Sequence, residues 1–459
     1  MTAIMLFTRD LRLHDNPAFA AACREHAEVV PLFIIDRRIL TARTASPNRA
    51  QFLAEALGDL RAALRGLGSD LAVRSGEVVE EVIRLAWAAN ADMIYAAADV
   101  SGYARRRERA LSVAATAQRM GTKFLPGNTV VPPGSLRPTG ADHYRVFTPY
   151  WRAWQQAPVR PQVRRPSLMS IPHEIQPGEL PTADDLVAGP RSPQLPPGGE
   201  SAAGKVLERA SARLLGADDR DKQLDDLAAD STTRLSPYLH FGCISPLAVR
   251  VRLADAPELV RQLAWRDFMH QLTAAFPDIA GRDYRPGRRE WLRDDAALEA
   301  WRRGQTGIPI VDAGMRQLLF EGWMHNRARL ITASFLTKTL QLNWRDGAAH
   351  FFRWLVDGDV ANNAGNWQWI AGTGTDTRPN RVLNPVRQAH RFDPDGAYVR
   401  RFVPELASVD GSGVHEPWRL PAATRSTLDY PPPLIEPARP KAKRPPTPRP
   451  PAERLEPDA

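Results

Sequence analysis

Between Trp323 and Trp369 the chain reads WMHNRARLITASFLTKTLQLNWRDGAAHFFRWLVDGDVANNAGNWQW, which sets Trp, Asn, Asp and Arg among aliphatic residues. Trp323, Asn326, Arg329, Leu330 and Ala333 recur at helical spacing on one stripe. Ile331, Phe335 and Leu336 can bury the rest of that helix, so Asn326 and Arg329 face an interior or a pocket. A buried guanidinium needs an acid, because breaking a buried pair costs ~3–5 kcal/mol. The nearest acids in apolar surroundings are Asp357 and Asp359 of DGDVANN. Gly358 between them lets the turn pass close to something flat. Two readings are open: a helical core with a structural Arg–Asp pair, or a pocket for a polar, planar, aromatic ligand.

A second candidate is TTRLS, residues Thr232, Thr233, Arg234, Leu235 and Ser236, directly before Pro237. Hydroxyls and amides at a helix start suit a phosphate, and arginine adds a bidentate clamp. The same pattern also serves as an ordinary N-cap. Near the N-terminus FTRDLRLHDN gathers Arg9, Asp10, Arg12 and Asp15, as a salt-bridged loop or as ligand contacts.

The elements that must hold these residues differ between the two halves. Residues 2–7 (TAIMLF) and 29–35 (VVPLFII) read as buried strands, and LAVRSG and ADMIYAA as two more. PAFAAACREH, QFLAEALGDLRAALRGLG and VVEEVIRLAWAAN are helical runs between them. This alternation predicts an open parallel sheet with helices on both faces. In such sheets ligands bind beyond the strand C-termini, where FTRDLRLHDN lies. No GxGxxG follows the first strand, so a dinucleotide fold is not indicated. Pro and Gly dominate from Gly127 to about Glu200, with YRVFTPYWRAWQQ as one packed island, which predicts a surface linker. From Ser201 to about Tyr430 the pattern is helical. The last stretch, from PPPLIEP onward, is too polar and Pro-rich to bury a core and is expected to be disordered.

The chain has 459 residues, enough for two domains, and a net charge of +9, which suits a polyanionic partner, nucleic acid first. Two cysteines, Cys23 and Cys243, make no disulfide framework and fit a reducing cytoplasm. They also cannot supply four thiolates to an iron–sulfur cluster. No apolar run reaches transmembrane length, and Arg9, Asp10, Arg12 and Asp15 stand too early for a signal peptide.

The motifs WMHNR, TASFL, DGD, ANN, NWQW and AGTGTD resemble the flavin-binding heart of the photolyase/cryptochrome family. FTRDLRLHDNPAF, TTRLSPYLHFG, LAWRDF, GIPIVDAGMRQL, HEPW and LDYPPP extend the resemblance over nearly the whole chain. It implies an α/β antenna-type domain at 1–130, a linker at 131–200, an all-α domain for FAD and DNA repair at 201–430, and a basic Pro-rich tail at 431–459.

The resemblance also implies roles. TTRLS and Arg266 would hold the flavin pyrophosphate, and Asn326, Arg329, Asp357, Asp359 and Asn363 would surround its ring and ribose, with Arg329 paired to Asp357 and Asn363 at the flavin N5. A tyrosine usual ahead of TTRLS is replaced by ADDRDKQLDD, which contains Arg220. Trp367, Trp344 and Trp291 match the family's three-tryptophan electron chain. Trp265 and Trp369 would stack on an extruded lesion, at ~1–3 kcal/mol per base, with Asn326, Gln262 and Leu330 completing the pocket. Gln262 stands where dimer photolyases carry a glutamate, and Leu330 where they carry a methionine. Gln262 matches (6-4) photolyases, but their histidines are absent at Asn326 and Leu330. Arg327, Lys338, Arg378 and Arg381 are candidates for phosphate contacts beside the lesion, with a solvated basic face as the alternative for each. Asp99 and Tyr103 resemble a deazaflavin antenna site rather than a folate one, and His240 replaces a lysine of its LKFG-like motif. An antenna site without an occupant is the alternative. The implied activity is light-driven repair of cyclobutane pyrimidine dimers in double-stranded DNA by a monomeric cytoplasmic enzyme. Its alternative is a cryptochrome photoreceptor without repair.

Overall fold

The computed structural model describes residues 1–41, 45–167, 169–172, 174–215, 224–229, 231–287 and 290–436. Five strands form one parallel sheet: β1 (Thr2–Phe7), β2 (Glu28–Asp36), β3 (Ala72–Gly76), β4 (Ala91–Ala97) and β5 (Gly121–Leu125), in the order β3-β2-β1-β4-β5. The central strand β1 is buried throughout, which explains its unbroken apolar run. Helices α1 (Pro17–Glu25) and α2 (Pro47–Arg65) pack Phe19, Phe52 and Leu57 on one face with Met5 and Phe7. Helices α3 (Val78–Ala88) and α4 (Gly102–Ala117) pack Val82 and Leu111 on the other with Ile4 and Leu6. The edge strand β5 escapes sequence pattern because GTKFL is only half-buried and carries no apolar run.

The Pro-rich stretch after β5 is stitched to both halves. Its helix α5 (Phe147–Gln156) buries Tyr150 and Trp154, and the Trp154 indole donates to Asp267 at 2.9 Å. Arg160 forms a bidentate pair with the buried Asp15. Asn48 donates to Ser192 at 2.9 Å, and the Val73 amide donates to the Pro177 carbonyl at 2.7 Å.

The helical half surrounds a core that includes Trp301, Trp344 and Trp367. Six of its helices matter for the site: α6 (Ser236–Phe241), α7 (Pro257–Ala275), α8 (Pro309–Glu321), α9 (Asn326–Ser334), α10 (Trp344–Trp354) and α11 (Val360–Ala371). Near the end of the described chain, Tyr430 donates to the buried Asp312 at 2.5 Å and the Leu434 amide donates to the Thr306 carbonyl at 2.9 Å. Arg220 and tail residues 437–459 lie outside the described residues. No helix among the described residues is long and apolar enough to cross a membrane.

Candidate functional site

A cavity of about 440 Å³ opens among α6, α7, α9 and α11. TTRLS forms one wall. Arg234 sits at φ +50°, an uncommon backbone state for a non-glycine residue. It is held there by Glu321 at 3.1 Å and by the Trp323 ring, 4.3 Å from its guanidinium carbon. The Trp323 indole donates to Ser236 at 3.1 Å, tying α6 to the turn before α9. Across the cavity Arg266 donates to the Leu239 carbonyl at 3.2 Å and to the Asn128 carbonyl.

The floor holds the two acids of DGD. Arg329 donates to Asp357 Oδ2 at 2.8 Å and to the Met324 carbonyl at 2.8 Å, so the pair expected from the helical stripe forms. Asp357 Oδ1 is buried without a hydrogen-bond partner, and so is Thr232 Oγ1; both residues line the cavity. Unpaired buried acceptors of this kind cost ~1–3 kcal/mol each unless a ligand donates to them.

Asp359 caps α11 through Oδ1, which accepts the Asn362 amide at 2.8 Å. Its Oδ2 accepts from Arg9, which arrives from the loop after β1. Burial alone would raise the Asp359 carboxyl, but Arg9, His270, His240 and Arg266 outweigh it and hold the group well below the usual carboxylate range. Burial drives His240 well below its ordinary value and His270 down to about 4, so both imidazoles are neutral at pH 7 and add charge beside Asp359 only in acid; at neutral pH Arg9 and Arg266 face the carboxylate. In FTRDLRLHDN, Arg9 pairs with Asp99 and Asp359 and Asp15 pairs with Arg160, while Arg12 donates to backbone carbonyls, and Arg9 carries the loop into the site. Gly358 lies against the planar guanidinium of Arg49; a Cβ there would meet Arg49 Nη1 at 2.5 Å. The flat neighbour expected of that turn is a side chain from α2.

The mouth is aromatic. Trp265 and Trp369 meet edge to face, with centroids 6.4 Å apart and planes at 77°. Phe147 covers one face of Trp265 at 3.6 Å, so the indoles make a corner wall rather than two parallel plates. Gln262, Asn326 and Leu330 line the same cavity. The guanidinium of Arg381 lies 4.9 Å from the Trp369 ring, and Arg378 and Arg381 are both exposed beside the mouth. Lys338 is turned inward: it donates to the carbonyls of Ala371 at 2.8 Å and Pro379 at 2.6 Å, anchoring the loop that bears those arginines. Arg327 is also used internally, with Asp225 at 2.7 Å and over the Phe392 ring.

Three expected residues lie behind the cavity rather than in its wall. Trp367 is buried against Phe351, with centroids 5.0 Å apart. It also packs on Gly347, where a Cβ would stand 2.3 Å from its ring. Gly347 lies one turn after Trp344 on α10, and Trp344 donates to Asp283 at 2.9 Å. Trp291 precedes Leu292, whose amide donates to Gln341 at 3.0 Å, three residues before Trp344. Trp367 and Trp344 are both buried, and Trp291 is partly exposed.

Asn363 directs its amide to the Ala348 carbonyl at 3.0 Å and is not in the cavity wall. Asn362 and Asn366 are, together with Trp369. Spacings of four and three put those three on one helical stripe, and Asn363 falls a hundred degrees away. Asp99 pairs with Arg9 at 3.4 Å, and the Tyr103 hydroxyl donates to Asp36 at the end of β2. No cluster of metal-ligating side chains occurs among the described residues. Such a cavity suits a planar heteroaromatic ligand with phosphates, held under a mouth that admits a second aromatic group.

Comparison with known proteins agrees. A family model described as the FAD binding domain of DNA photolyase matches residues 259–444, and one described as DNA photolyase matches residues 3–167. The chain is 49% identical to the deoxyribodipyrimidine photo-lyase of Streptomyces griseus, covering 96% of this chain and 98% of that protein. The bacterial class III photolyase of Agrobacterium tumefaciens superposes with a TM-score of 0.87 at 31% identity, over 95% of this chain and 94% of that one. The archaeal photolyase of Sulfolobus tokodaii, solved with two FAD molecules, gives 0.84 at 31% identity over 95% and 96%. With both halves matched and the cavity built from the motif residues, the chain belongs to the photolyase/cryptochrome family.

Proposed function

We infer that the chain is a deoxyribodipyrimidine photo-lyase, repairing cyclobutane pyrimidine dimers in DNA under light with FAD as cofactor. The observation that carries the reading is the cavity joining the Arg329–Asp357 floor to the Trp265–Trp369 mouth. The donor set fits FAD: the unpartnered Asp357 Oδ1 can accept a ring or ribose donor, while Arg266 and the TTRLS turn face the phosphates. When bound and fully reduced, FAD supplies the light-driven electron that splits the dimer.

The chain's own residues bind, orient and exclude water. Asp357 and Asp359 fix the cofactor's polar edge. Trp369 and the open face of Trp265 stack on the extruded bases, and Gln262 and Asn326 hydrogen-bond their edges. Arg378 and Arg381 neutralise flanking phosphates. Trp367, Trp344 and Trp291 relay an electron between the cavity and the surface. For a second chromophore we assign the strand ends near Asp36, Asp99 and Tyr103, with a deazaflavin as occupant rather than a folate. We also place the protein in the cytoplasm as a monomer, in keeping with its unpaired Cys23 and Cys243 thiols.

The test is illumination of the purified, reduced protein with dimer-containing DNA, followed by a count of intact thymines. Restored thymines are expected in light and none in darkness. A dimer that is bound and never split would leave the cryptochrome role instead. Denaturation should release FAD, and the absorbance of any further chromophore separates deazaflavin from folate.

A further inference from the structure

We propose that Asn366 is a specificity-determining residue, presenting a fixed acceptor to the imide N–H of one thymine of the dimer. The proposal rests on the photo-lyase reading and names a contact within that site. Asn362, Asn366 and Trp369 form one stripe of α11 along the cavity wall. Asn366 is exposed at that wall, and its Nδ2 donates to the Asn362 carbonyl at 2.8 Å. That bond turns one N–H of the amide to the helix and leaves Oδ1 without a hydrogen-bond partner among the described residues. No side-chain hydrogen bond fixes the amides of Gln262 or Asn326 among the described residues, and those two can turn either end to a ligand. Asn366 is therefore the preorganised acceptor of the three, and a preorganised group binds without the cost of ordering it.

The chemistry selects the ligand. A thymine in a cyclobutane dimer keeps N3–H between two carbonyls. Gln262 and Asn326 can donate to those carbonyls, while N3–H needs an acceptor. Cytosine carries a bare N3 and would set lone pair against lone pair at Asn366. Recognition of an imide base is thus built into one side of the pocket.

The experiment measures dark affinity and light-driven repair on duplexes with a thymine dimer, and on the same duplexes N3-methylated at one thymine or the other. Wild type and Asn366→Ala are compared, with thermal midpoint and flavin content as folding controls. In wild type, methylation of one particular thymine should weaken binding about tenfold, as expected for one lost hydrogen bond. Asn366→Ala should bind the unmodified dimer correspondingly less well and distinguish the methylated form about twofold at most. An unchanged discrimination ratio in Asn366→Ala overturns the proposal while repair by wild type keeps the enzyme reading intact. Loss of flavin from Asn366→Ala would assign the amide to the cofactor and also overturn it. Wild type that splits no dimers overturns both readings.

Discussion

Arg9 and Asp359 lie 350 positions apart and form a buried ion pair that joins the α/β half to the flavin cavity. Arg9 also donates to the His240 carbonyl at 3.1 Å and meets Asp99 at 3.4 Å. One of the two acids of DGD is paired from within the helical half, and the other from outside it.

Arg9→Gln should loosen flavin and shift acid stability. The folded Asp359 carboxyl is depressed, so its stabilisation is fully present above the unfolded value of about 4 and is lost only as pH falls further. Without Arg9 the largest charge opposing desolvation is gone, and the carboxyl titrates at higher pH than in wild type. Thermal melts across the acid range should show Arg9→Gln losing stability and flavin at higher pH than wild type. Superimposable profiles would mean that His240, His270 and Arg266 suffice.

Asp357→Ala leaves the partly buried Arg329 without its acid and removes the unpartnered Oδ1 from the cavity wall. Most of the FAD should be absent from the purified variant. Flavin-to-protein absorbance ratios check this, and a full complement would place the cofactor elsewhere.

Trp367→Phe should abolish photoreduction of oxidised enzyme by an external reductant, yet preserve repair by chemically reduced enzyme. Flash spectroscopy of both forms decides. Gly347→Ala pushes a methyl towards the Trp367 ring and should destabilise by ~1–3 kcal/mol, seen in chemical denaturation.

Arg381→Ala removes an exposed cation beside Trp369. DNA affinity should fall, and its logarithmic salt slope should become shallower by about 0.9. Arg327→Ala should alter the slope less, because Asp225 holds that guanidinium at 2.7 Å, whereas Asp376 stands 3.6 Å from the more exposed Arg381. Titrations at several salt concentrations measure both.

Gln262 supplies an amide to the cavity where the family resemblance leads one to expect a glutamate. It can donate to a thymine carbonyl but cannot deliver a proton. Gln262→Glu should raise dimers split per photon, or leave them level, with little change in affinity. A sharp fall in quantum yield would show that the pocket is tuned to the amide.

The Arg329–Asp357 pair was legible because a helical stripe demanded an acid and few apolar stretches offered one. Strands β1, β2 and β4 were legible as largely buried apolar runs and β3 from the short LAVRSG segment, whereas β5 lacks that signal at its half-buried edge. The pairing of Arg9 with Asp359 left no local trace, since nothing in FTRDLRLHDN reports what packs opposite. The phase of α11 was likewise hidden: the Asp359 cap and the packing against α10 set which asparagine faces inward. The 77° angle between Trp265 and Trp369 depends on Phe147, from the packed island inside the Pro-rich segment, and nothing in that island reports which indole it covers.

That segment also governs how the molecule meets its own copies. The outer rim of β3 would otherwise offer free amides and carbonyls to any passing strand. Pro177 takes the Val73 amide and, being proline, has no N–H to hand on. Strand capture ends there, so the sheet does not grow into a neighbouring molecule along its β3 edge. A backbone cut beside Gly178 should uncover the rim, and light scattering of the nicked protein should then rise with concentration.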